Sequence, residues 1–297
     1  MKKITKILLM MTLLCAFLVG CGNTGNDNDV DTSNDNVDVV VDDTTENIVE
    51  NTVDSTENLF ELFSHEGFTL STDKVFTEDE SGIWFSIWVN NGTDKKLVVT
   101  ENCVSVNLYM VDVDGLFAEV EAGTQTKMDV LILKESLERA QIKEIGQLDI
   151  WFRAYDRDTF DDFYNFDRIT IETEASEGMD APDLGTGIQI YNNNDIMVYA
   201  NKIVKEEGAA WLELYVENNT NDYIVANPKN VTINGSETDV LIYADVRPLR
   251  MTVDNMKFYI DSYVTEGANE VAFDLQVYIK EPEMSVIETV PVSFTIE

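Results

Sequence analysis

The chain has 297 residues, 44% of them aliphatic or aromatic, enough for about two domains with cores of their own. Its 20 basic and 56 acidic residues give a formal charge of −36. Such a charge excludes nucleic acid and anionic bilayers as electrostatic partners, because both are polyanions, and it favours cationic partners and divalent ions.

Residues 1–21 read MKKITKILLMMTLLCAFLVGC. Lys2, Lys3 and Lys6 make a basic start, and Ile7 to Val19 an apolar run. That run is too short to cross a ~30 Å hydrocarbon core, so residues 1–20 are expected to be a signal peptide rather than a membrane helix. The segment closes Leu18-Val19-Gly20-Cys21, which resembles the lipobox of bacterial lipoproteins. The resemblance implies a diacylglyceryl group on the Cys21 thiol, cleavage before Cys21, and residence on the outer face of the cytoplasmic membrane. Paired acyl chains anchor stably, at about 0.8 kcal/mol per buried methylene. Losing Lys2, Lys3 and Lys6 takes the formal charge from −36 to −39.

Residues 21–64 are expected to be the lipidated Cys and an acidic, disordered tether. Between residues 22 and 58 there are eleven acids and no Lys or Arg, and the remainder is chiefly Gly, Asn, Thr, Ser and Val. Like charges repel and little apolar surface can be buried, which gives a spacer with a reach on the order of 35 Å or more. Cys15 lies in the apolar run, so Cys103 is the one cysteine beyond Cys21 and an intramolecular disulfide scaffold is excluded.

The remainder is duplicated. Residues 84–108 (WFSIWVNNGTDKKLVVTENCVSVNL) align without a gap on residues 211–235 (WLELYVENNTNDYIVANPKNVTING), with seven identities in 25 positions. These include Trp84/Trp211, Asn91/Asn218, Thr93/Thr220 and Asn107/Asn234. Further on, Leu148-Asp149-Ile150 matches Phe273-Asp274-Leu275, and residues 169–172 match 294–297. Self-similarity of this kind means two copies of one unit.

The unit reads as all-β. Phe85, Ile87 and Val89 alternate with Trp84, Ser86 and Trp88, and Leu212, Leu214 and Val216 with Trp211, Glu213 and Tyr215, the period of a half-buried strand. Asn91-Gly92 is expected to supply the positive φ angles of a tight turn. Val104 and Val231 are expected to open the next strands, Leu148 to Ala154 to form another, and residues 135–141 to form one or two helical turns. The apolar strand, the Asn-x-Thr and the VSVN/VTIN runs resemble the tandem Ig-like lipoproteins of Gram-positive bacteria, many of unassigned function. That resemblance implies two Ig-like β-sandwiches, over residues 65–174 and 187–297, joined by a linker over 175–186. The Cys…Trp…Cys signature of antibody domains is absent.

Catalytic chemistry is poorly served. His65 is the single histidine and no Gly-x-Ser-x-Gly elbow occurs, so a Ser/His/Asp site has no support. Zinc is ill matched to one His and one Cys. Asp112, Asp114 and Asp158 are weak calcium candidates, because neither acidic run reaches the spacing of an oxygen-ligand loop. No cofactor is expected. The most specific side-chain feature is aromatic: Trp84, Trp88, Trp151, Tyr155, Trp211 and Tyr215 share the strand parity opposite the aliphatic set. They form a candidate interaction face, since outward rings stack on sugars or anchor protein interfaces. The expected function is a lipid-anchored, non-catalytic module binding a protein or an envelope glycan. A small-ligand or calcium-binding protein is the alternative, and an envelope hydrolase is a third reading that rests on abundant carboxylates alone.

Overall fold

A computed structural model describes residues 58–165, 168–179, 181–242, 244–281 and 283–297, all within one compact unit, Asp54–Glu297. The expected signal peptide, Cys21 and the expected tether as far as residue 57 therefore lie outside the described residues, and residues 60–64, expected within the disordered tether, are instead part of a strand, Phe60–His65. Among those described, no helix is long and apolar enough to cross a membrane.

The first half runs β1 (Phe60–His65), β2 (Phe68–Thr72), β3 (Thr77–Glu78), β4 (Gly82–Asn91), β5 (Leu97–Val106), β6 (Tyr109–Val111), β7 (Val113–Asp114), β8 (Phe117–Val120) and β9 (Thr124–Leu133). It continues with α1 (Lys134–Arg139), β10 (Gln147–Asp156), β11 (Asp162–Asn165) and β12 (Ile169–Glu172). The second half runs β13 (Ile188–Asn192), β14 (Ile196–Glu206), β15 (Ala209–Asn218), β16 (Ile224–Ile233), β17 (Ser236–Glu237), β18 (Val240–Leu241), β19 (Ala244–Val246), β20 (Arg250–Phe258), β21 (Asn269–Ile279) and β22 (Ser285–Ile296).

The protein is all-β, built of two Ig-like sandwiches in tandem, and the strand order identifies the topology. In the first half β2-β4-β9-β7 form one sheet, the A-B-E-D set of an Ig sandwich, while β10 lies between β5 and β11/β12 as F lies between C and G. In the second half β14-β15-β20-β18 repeat A-B-E-D, and β16-β21-β22 repeat C-F-G. Even the short strands correspond: β8 pairs with the start of β5 at Leu97↔Val120, and β19 with the start of β16 at Ile224↔Val246.

Each sandwich closes over its own apolar cluster. Phe85, Ile87 and Val89 of β4 face Leu148, Ile150 and Phe152 of β10 in the first, and Leu212, Leu214 and Val216 of β15 face Phe273, Leu275 and Val277 of β21 in the second. These are the alternating sets read from the sequence. Burying one large aliphatic side chain stabilises by roughly 1.5–3 kcal/mol, so the cores dominate the folding energy.

The duplicated Asn residues hold corresponding positions. Asn91, fully buried at the end of β4, donates through Nδ2 to the Lys95 and Val120 carbonyls at 2.8 and 2.9 Å, and its Oδ1 accepts from the Thr93 hydroxyl at 2.7 Å. Asn218 does the same with Asp222 and Val246 at 2.8 and 3.0 Å and with Thr220 at 2.6 Å. One amide thus ties the end of strand B to the loop that leads into strand C and to the short strand beside C.

Two turn and strand expectations are corrected. Neither Asn91 nor Gly92 has a positive φ; Asn91 is still strand, and Gly92 is needed because an added Cβ would lie 2.7 Å from the Gly67 carbonyl oxygen. The two-residue turn with both φ positive follows the C strand instead, at Asn234-Gly235 (φ 50° and 78°) and at Asn107-Leu108 (φ 48° and 73°). Accordingly, Val104 and Val231 close strands that begin at Leu97 and Ile224 rather than opening them. The helical segment is a short α-helix, Lys134–Arg139.

The C-F-G sheet of the first half continues into the A-B-E-D sheet of the second. β6 lies parallel to β20, with Met251 opposite Tyr109 and the Met251 N–H bonded to the Leu108 carbonyl at 3.0 Å.

Candidate functional site

At the seam between the sandwiches the outward faces meet. Asp149 of β10 and Arg250 of β20 form a buried ion pair at 2.7 Å, at 0% and 3% side-chain exposure. Arg250 Nε also donates to the Ser105 hydroxyl at 3.1 Å. Asp149 further accepts from the Thr170 hydroxyl at 2.6 Å and the Gln147 amide at 2.7 Å, so its lone pairs are well used. Arg247 and Arg250 both stand over the Trp151 ring, at 5.6 and 5.7 Å from its centroid. Arg247 Nε donates to the Cys103 sulfur at 2.9 Å. Burial pushes that thiol up to about 11 against the pull of Arg247. Beside this polar patch, Tyr109, Tyr215, Leu184 and Val253 make a small apolar cluster, with Tyr199 against it. Burial pushes the Tyr109 phenol up to about 12 and raises Tyr215 as well.

The outward face of the second half runs from this seam into an open cleft. On β15 and β20, Tyr215 stands opposite Val253, Glu213 opposite Asn255, and Trp211 opposite Lys257. The first pair is sealed by the first half, while Trp211, Asn255 and Lys257 line a cleft of 390 Å³. Leu241 and Ile242 continue that wall, and Asp112, Glu135 and Arg139 of the first half form the other. A second hollow of 260 Å³ adjoins it, sharing Asp112, Arg139 and Asp254.

The helix α1 presents Arg139. Its guanidinium binds Asp112 at 2.5 Å and Glu135, one turn earlier, at 3.0 Å. The Ser136 hydroxyl accepts from the Asp112 N–H at 2.9 Å and so fixes the helix against β6. Two buried side-chain atoms among the described residues have no hydrogen-bond partner, Arg139 Nε and Asn255 Oδ1, and both residues line the cleft. An orphaned buried group costs ~1–3 kcal/mol, and both of these atoms are closed off from solvent. A larger groove of 830 Å³, lined by Phe60, Phe76 and Ile145 among others, lies within the first half and holds no such orphan.

The sequence-derived aromatics do not form one exposed face. Trp84 and Trp88 lie on the separate A-B-E-D sheet of the first half, where Trp84 Nε1 donates to Asp79 at 2.8 Å and Trp88 is 8% exposed beneath Lys127. Trp151 and Tyr215 are buried at the seam. Tyr155 is half-buried between Phe160 and Arg153. Trp211 alone of the six lines the cleft. The strand parity is as read, but outward does not mean exposed, because the sister sandwich covers much of that face. Asp112 is held by Arg139, the Asp114 carboxylate accepts from the Gly115 N–H at 2.8 Å, and Asp158 is exposed on a turn. Among the described residues no group of three or more His, Cys, Asp or Glu could hold a metal ion. Arg139, Asn255, Lys257, Arg247 and Arg250 were not singled out from the sequence; in so acidic a chain, the two arginines of Arg247-Pro248-Leu249-Arg250 are the signal that was there to find.

No protein-family model matches the chain, and no curated protein matches it. Solved structures resemble it weakly. A conserved domain protein from Bacillus anthracis is 11% identical with a TM-score of 0.28, over 82% of this chain and 93% of that one. The YadV chaperone is 10% identical with a TM-score of 0.26, over 77% and 100%. The Escherichia coli chaperone DraB is 11% identical with a TM-score of 0.24, over 71% and 91%. These scores add nothing on function to the topology described above.

Proposed function

We propose that the protein is a lipid-anchored, extracytoplasmic, non-catalytic binding module for a protein or an envelope glycan, with its ligand site in the cleft between the two sandwiches. One observation carries the reading: the cleft has walls from different halves, Trp211, Asn255 and Lys257 from one and Asp112, Glu135 and Arg139 from the other. The anchor rests on Leu18-Val19-Gly20-Cys21 and the acidic stretch after it, which would hold the module away from the membrane surface.

Two measurements test this. A clickable palmitate analogue should label the wild type and not Cys21→Ser, which should move to the medium; unlabelled wild type overturns the anchor. Full-length protein in detergent should retain an envelope component that the cleft-blocked variant Asn255→Trp does not. Equal retention by the blocked variant overturns the cleft as the site.

A further inference from the structure

We infer that the cleft takes the ring of a neutral sugar, stacked on Trp211. This rests on the binding-module reading and names the ligand class for the same site.

The first support is shape and surface. An indole beside Leu241 and Ile242 is a flat apolar platform, and the opposite wall is polar, from Asp112, Glu135 and Arg139. A pyranose has that same division, with C–H groups on its faces and hydroxyls on its rim. Aromatic faces carry partial negative charge that attracts the C–H groups.

The second support is hydrogen-bond arithmetic. The cleft lining mixes acceptors, on Asp112 and Glu135, with donors, on Arg139 and Lys257. A hydroxyl both donates and accepts, so a hydroxyl-rimmed ligand serves both kinds.

The third is charge. Asp112, Glu135 and Asp254 outnumber Arg139 and Lys257 around the two hollows, and the chain stands at −36, so an anionic ligand is repelled. Arg139 already binds both Asp112 and Glu135 directly, which weakens the attraction a bare acidic cluster would have for a cation. A volume of 390 Å³ lies in the ~300–1,000 Å³ range of small-ligand sites.

The test uses the full-length protein in detergent, titrated calorimetrically with short neutral oligosaccharides of glucose, galactose, mannose and N-acetylglucosamine. At least one series should bind saturably. Trp211→Ala and, separately, Asn255→Ala should each weaken it about tenfold or more, the equivalent of 1.4 kcal/mol, with the melting temperature within two degrees of wild type. Trp84→Ala, on the other sheet, should leave it unchanged. Should Trp211→Ala not fold, Asn255→Ala and Glu135→Gln carry the comparison. If no sugar binds while an envelope component is still retained and lost in Asn255→Trp, the sugar class is wrong and the binding module stands. Sugar binding that survives both cleft variants overturns the site.

Discussion

Single residues carry more of this architecture than their number suggests. Asn91 and Asn218 each satisfy backbone groups that would otherwise be buried without partners, at the same point of each sandwich. Asn91→Ala or Asn218→Ala should each cost ~2–3 kcal/mol, read from urea unfolding, because several carbonyls lose their donor at once. A loss near zero would mean that water replaces the amide. At the seam, Cys103 ionises in the folded protein only near pH 11, against an ordinary value of 9.0, and Tyr109 near 12, against 10.0. The unfolded chain loses those protons first. Stability from both groups is thus complete below about pH 9 and lost as pH climbs through 11 and 12. The melting temperature should fall across that alkaline window, and iodoacetamide should modify native Cys103 at pH 8 far more slowly than denatured protein, because the raised thiol stays protonated; equal rates would contradict the raised value.

At the scale of elements, the duplication was legible because the B and C strands repeat without a gap, and alternation alone separated core positions from outward ones. Turn geometry was less legible. Asn91-Gly92 and Asn234-Gly235 look alike in sequence, but only the second lies where the next strand folds straight back, so only there are both φ angles positive. Leu108 hides the equivalent turn in the first half, since a leucine in the left-handed region is not a turn signal. Gly235 has open space around it, so a side chain there meets no clash and the cost is conformational. Gly235→Leu should destabilise by ~1–2 kcal/mol, and Gly235→Asn by less, because Asn tolerates that region. Equal losses for both variants would point to packing instead. The cleft-lining residues were invisible for a related reason. Arg139 sits on a short helix and Asn255 on a strand of the other half, and only the relative placement of two sandwiches brings them to one cleft.

Across the whole molecule, two cores share one continuous sheet and one buried ion pair. Arg250 of the second half bonds to Asp149 and Ser105 of the first, and Arg247 and Arg250 stand over Trp151, so these three are covered from across the seam. The repeat offers an internal control. By strand register Ala272 and Asp274 hold the places of Asp149 and Trp151, two residues away from the match of Asp274 with Asp149 read in the sequence, and Asp274 bonds to Asn230, the counterpart of Cys103, on an exposed face. The covering half therefore imposes the difference between the two copies, and the seam couples their unfolding. Arg250→Met should cost ~3–5 kcal/mol by stranding a buried carboxylate, and the double change with Asp149→Leu should recover much of it. Calorimetry should show wild type melting in one transition, and Arg250→Met in two as the halves uncouple. Two transitions in the wild type would mean the halves fold independently, and the cleft between them would then be free to open and close around its ligand.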